Sequence, residues 1–69
     1  MSKLEEYRNQ NHYSCQYMAD QLNITKPFYW QIEKGKRRLS YDTACKIAKI
    51  FKVKPDEIFY EEYIKDITD

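Results

Sequence analysis

The sequence predicts an all-α protein, a compact five-helix bundle contained in one domain, residues 1–69. Three observations point there. At 69 residues the chain falls below the roughly 100 to 200 residues of a typical domain, so it holds one core and no second. A chain this short buries only about 60% of the surface it exposes when unfolded, which favours helices with local contacts over a large sheet or an enclosed catalytic cavity. The composition, 42% hydrophobic and 33% charged with one Gly and two Pro, is globular and helix-tolerant, neither disordered nor low in complexity.

Each element follows from a cap and a helical spacing. Leu4 and Tyr7, three apart after Ser2, read as a first helix running to about Asn11. Ser14, whose hydroxyl can accept an orphan backbone N–H, opens a second helix with Met18, Ala19 and Leu22 on one face. Asn23 tolerates the left-handed conformation that a tight helix exit needs. Thr25 caps a third helix with Pro27 in its first turn, where early N–H groups lack intrahelical acceptors. Tyr29 and Ile32 face inward, and Gly35 closes the helix before the basic loop Lys36-Arg37-Arg38. Ser40 caps a fourth helix, in which Ala44, Ile47, Ala48 and Phe51 repeat and which Val53 ends. Pro55, followed by Asp56 and Glu57, opens a fifth helix with Ile58, Phe59 and Tyr63, ahead of an acidic tail at about 60–69.

The formal charge of +1 conceals a segregation along the chain. Residues 1–25 sum to −1, residues 26–54 to +7 (nine basic residues against Glu33 and Asp42), and residues 55–69 to −5. A basic block beside an acidic end suggests a polyanionic partner for one face. Cys15 and Cys45, with His12 the sole histidine, are too few and too scattered for a structural zinc site, so neither a metal nor a cofactor is expected. There is no leading apolar segment and no run of about 18 apolar residues, so neither secretion nor a membrane span is expected. The expected compartment is a reducing cytoplasm with two free thiols. His12, Ser14 and Asp20 make no plausible hydrolytic set, because His12 and Ser14 are two apart across a turn with no cleft to activate them, and no enzyme is expected.

The stretch of about 14–34 is a short helix, a tight turn and a second helix, the pattern of a helix-turn-helix. Arg8, the run Ser14 to Thr25, Ile32-Glu33-Lys34-Gly35-Lys36-Arg37, Ile47-Ala48-Lys49 and Pro55-Asp56-Glu57-Ile58-Phe59 resemble the Cro/C1-type (xenobiotic response element) helix-turn-helix family of transcriptional regulators, over about residues 4–59. The resemblance implies a lambda-repressor-like DNA-binding domain of bacterial, phage or mobile-element origin, acting as a repressor on a palindromic operator. It places base readout on Lys26, Pro27, Phe28, Trp30 and Gln31. Lys26 suits guanine and Gln31 adenine. Contacts to phosphate fall to Ser14, Cys15, Gln16, Thr25, Lys34, Lys36, Arg37 and Arg38, with Cys15 standing where the family commonly has Gln. Arg8 and Glu33 match a pair that the family uses as a salt bridge between the first and third helices.

Few base contacts fit on so small a module, so a homodimer on half-sites about 34 Å apart is expected. Phe59, Tyr60, Tyr63 and Ile64 leave more apolar surface than one helix needs for its own core and are the candidate dimer contacts. Phe28 and Trp30 carry no hydrogen-bond code. They press on thymine methyls, or they anchor a protein partner in an antirepressor, antitoxin-like or adaptor role. A third reading lets the acidic tail compete with DNA for the basic face.

Overall fold

The computed structural model describes residues 2–68, with side chains described through residue 64. Five helices follow one another: α1 (Lys3–Gln10), α2 (Cys15–Leu22), α3 (Lys26–Glu33), α4 (Tyr41–Phe51) and α5 (Pro55–Thr68). No strand occurs among the described residues.

Side-chain oxygens start four of the helices. Ser2, Ser14, Thr25 and Ser40 accept from the backbone N–H three residues on, at 3.1, 2.9, 3.2 and 3.1 Å. Each bond satisfies one of the donors that a helix start leaves without an acceptor. At α5 the direction reverses, as the Lys54 N–H donates to Glu57 Oε2 at 2.7 Å.

The exits of α1 to α4 share one device. His12, Asn23, Gly35 and Lys52 take left-handed backbone, with φ of 58°, 57°, 69° and 59°. In each case the next N–H reaches a carbonyl five residues back: Tyr13 to Arg8, Ile24 to Ala19, Lys36 to Gln31 and Val53 to Ala48, at 2.9–3.1 Å. This is the bond pattern of a Schellman turn, which brings the following residue back onto the helix. Tyr13, Ile24 and Val53 accordingly pack against the core. After α3 the corresponding residue is Lys36, which is exposed, so that turn feeds a charged loop outward.

The core comprises Leu4, Met18, Ala19, Tyr29, Ile32, Ala44, Ile47, Ala48, Ile58 and Phe59. Tyr29, Met18 and Ile47 are its largest fully buried side chains. Helix α2 packs on α3 and α4, and α5 packs on α1 and α4.

Three sequence expectations change here. The acidic stretch from residue 60 continues α5 to Thr68, held at its start by Tyr63, which packs against the core and whose ring lies 6.3 Å from that of Tyr41. Phe59, expected at a dimer contact, is 4% exposed. The turn at Lys52 and Val53 brings α5 back across α1 and α4, so Phe59 fills the molecule's own interior. Helix α4 stops at Phe51, before Val53, because Lys52 leaves the helical region.

Candidate nucleic-acid interface

Helix α3 is divided lengthwise by burial. Tyr29, Ile32 and Glu33 point into the protein, whereas Lys26, Pro27, Trp30 and Lys34 are exposed and Phe28 and Gln31 are half-buried. The helical repeat puts Lys26 with Trp30, and Pro27 with Gln31 and Lys34, on the outward surface. The base-reading candidates therefore lie on one accessible helix.

What orients that helix is a buried ion pair. Arg8 Nε and Nη2 donate to Glu33 Oε2 and Oε1 at 2.8 and 2.9 Å, and Nη1 donates to the Tyr13 carbonyl at 3.0 Å. The Glu33 side chain is 1% exposed and that of Arg8 14%. Burial alone pushes the Glu33 carboxyl upward, but the Arg8 hydrogen bonds and charge outweigh it and hold the carboxyl below its ordinary value. Arg8 is correspondingly raised, chiefly by its bonds to Glu33. The neighbouring Tyr29 hydroxyl is buried without a hydrogen bond of ordinary geometry, and burial, followed by the influence of Glu33, raises it well above the usual phenol range.

The loop cations do not all hang in solvent. Arg37 Nε donates to Gln31 Oε1 at 3.1 Å, and its guanidinium carbon sits 4.2 Å from the centre of the Phe28 ring. Lys36 Nζ lies 5.9 Å from the centre of the Trp30 indole, and Lys34 Nζ is 3.5 Å from Glu5. Arg38 and Lys26 are exposed and make no ion pair with the described residues. Phe28 and Trp30 thus carry cations over their faces, an arrangement favoured by the ring quadrupole.

Three of the phosphate candidates, Ser14, Cys15 and Gln16, stand at the start of α2. Ser14 and Gln16 are exposed, the first holding the Tyr17 N–H and the second donating to Asp20 at 2.9 Å. Cys15 is half-buried and packs against the core. Thr25, exposed, holds the Phe28 N–H. Tyr17 was not singled out from the sequence. It is 39% exposed beside Gln16, with its ring 4.5 Å from that of Tyr13, a pair that their spacing of four, Tyr13 sitting just ahead of α2, could have signalled.

A cleft of about 380 Å³ runs behind the loop. Lys3, Arg37 and Arg38 line it together with Glu61 and Glu62. Among the described residues no group of His, Cys, Asp and Glu side chains is arranged to hold a metal ion, and no helix is long and apolar enough to cross a membrane.

Residues 4–58 match the family described as helix-turn-helix. The chain belongs to the Cro/C1-type helix-turn-helix family. It is 36% identical over 62 residues to the HTH-type transcriptional regulator AnsR of Bacillus subtilis, a match covering 90% of this chain and 53% of that protein. It is also 38% identical over 61 residues to an uncharacterised HTH-type transcriptional regulator of Methanocaldococcus jannaschii, covering 88% and 92%. The chain thus spans about half of the first relative and nearly all of the second. No solved structure matches. Within this helix-turn-helix, α2 and α3 form the motif and Asn23 makes its turn.

Proposed function

We propose that this protein is a sequence-specific, double-stranded-DNA-binding transcriptional regulator, a repressor that occupies a palindromic operator as a homodimer. The observation that carries this reading is the outward face of α3, Lys26, Trp30 and Gln31, continuous with the exposed Lys34 to Arg38 loop. An α-helix fits a major groove about 12 Å wide. The loop cations meet the phosphates beside that groove and supply affinity without sequence information. Both relatives carry the name of transcriptional regulators.

Dimerisation falls to Tyr60, which is 58% exposed, with Tyr63 and Ile64 on the same helix and Tyr41, 65% exposed, beside Tyr63. A dimer that reads a palindrome must set its two α3 helices about one turn of DNA apart, about 34 Å.

The test is duplex binding followed through Trp30 fluorescence across a range of salt. Log affinity is expected to fall linearly with log salt, by about 0.9 for each phosphate neutralised. Binding that ignores salt, or none, overturns the reading. It would favour the protein-partner alternative, for which the observation is the exposure of Trp30, 44%, on a small domain.

A further inference from the structure

We propose that Arg37 is a positioning residue that turns the Gln31 side-chain amide so that it acts as a hydrogen-bond donor, and that Gln31 therefore selects guanine. This rests on the DNA-binding reading above and narrows it.

Arg37 is held from two sides. Its Nε donates to Gln31 Oε1 at 3.1 Å, and its guanidinium lies over the Phe28 ring at 4.2 Å. Phe28 itself packs against the core and its N–H is bound by Thr25, so the platform beneath the guanidinium is fixed. The planar fork of an arginine stacks and donates at once, which a lysine cannot do.

A glutamine amide has an oxygen that accepts and an NH₂ that donates, while a guanidinium can only donate. The partner of Arg37 must therefore be the oxygen, which settles the orientation of the amide. The Nε2 hydrogens make no hydrogen bond with the described residues and form the free end. Guanine offers two adjacent acceptors in the major groove, N7 and O6, whereas adenine sets the N6 donor beside N7. A free end made of donors meets two acceptors on guanine, whereas on adenine it finds only N7 and sets a donor against N6. On this geometry Arg37 acts on readout through Gln31, in addition to lending its charge to the basic loop.

The experiment selects bound sequences from a random duplex pool with wild type, Gln31→Ala, Arg37→Lys and Arg37→Met, and measures salt slopes on the selected site. The base pair whose preference is lost in Gln31→Ala is expected to be guanine in wild type. Both Arg37 variants should relax that preference about tenfold, within the usual worth of one base contact. Arg37→Lys should do so with an unchanged salt slope, since its charge remains. Adenine at that pair, or a preference intact in either Arg37 variant, overturns the proposal. NMR of the free protein gives an independent arm: the Arg37 Nε–H should exchange slowly in wild type and rapidly in Gln31→Ala. Rapid exchange in wild type overturns the positioning role whatever the DNA result. Absence of salt-sensitive duplex binding sinks the DNA reading and the guanine assignment with it, while the exchange rate still judges the contact.

Discussion

Arg8 and Glu33, 25 residues apart, share a two-pronged ion pair at 2.8 and 2.9 Å that ties α1 to the last residue of α3. The third arm of the same guanidinium holds the Tyr13 carbonyl ahead of α2. One side chain thereby fixes the first helix, the entry to the second and the end of the third.

Arg8→Ala is expected to destabilise the fold by about 3 to 5 kcal/mol, because it leaves the buried Glu33 charge uncompensated. The double variant with Glu33→Ala should recover part of that loss. Urea titrations of the four-member cycle measure both, and additive losses would contradict a coupled pair.

The same pair sets a pH dependence. The Glu33 carboxyl lies below its ordinary value of 4.5 in the folded protein, so on acidification the unfolded chain binds the proton first. Its stabilisation is complete above the ordinary carboxylate range and is lost as pH falls through that range toward the folded value. Wild type should therefore lose more stability than Glu33→Gln on acidification, measured by thermal unfolding at several pH values below 6. Parallel pH curves for the two proteins would refute this.

Phe59 and Tyr60 are adjacent and should behave oppositely. Phe59→Ala empties a core site and is expected to cost about 3 to 5 kcal/mol. Tyr60→Ala should leave unfolding within about 0.5 kcal/mol and weaken self-association in sedimentation. A Tyr60 variant that dimerises as wild type does would move the interface elsewhere.

Lys52 holds left-handed backbone at φ 59° without the latitude of glycine or asparagine. Lys52→Gly is expected to stabilise the protein by about 0.5 to 1 kcal/mol, and Asn23→Gly by less. Gly35→Ala, at φ +69° with open space around the added methyl, should cost about 1 kcal/mol through backbone strain alone. Thermal midpoints rank the three, and a destabilised Lys52→Gly would count against the strain argument.

Glu61 and Glu62 line the same cleft as Arg37 and Arg38. Changing both to Gln removes negative charge near the basic loop, so duplex affinity should rise several-fold at low salt. The gain should fade toward 1 M salt, where screening acts within about 3 Å. A gain that persists at high salt would point to a change of shape rather than of field.

How far these features were legible in the sequence depends on their range. Ser2, Ser14, Thr25 and Ser40 announce helix starts because a hydroxyl beside a free N–H is a local event. The exits were half legible: Asn23 and Gly35 belong to residue types that favour left-handed backbone, whereas His12 and Lys52 carry little or no such mark. Pairing Arg8 with Glu33 needed the family resemblance, since nothing local links positions 25 apart. Phe59 and Tyr60 looked alike as apolar residues on α5, and only the turn at Lys52 decides which faces the core. The grip of Arg37 on Gln31 and Phe28 depends on the path of the chain after Gly35, which no spacing rule specifies.

The measurement that bears most directly on the central claim is selection of bound sequences from a random duplex pool, with wild type and Gln31→Ala run side by side. Readout through α3 predicts a palindrome whose half-sites lie about one helical turn apart, with one base pair in each half-site losing its preference in the variant. No enriched sequence, or an identical palindrome from both proteins, would contradict readout through α3.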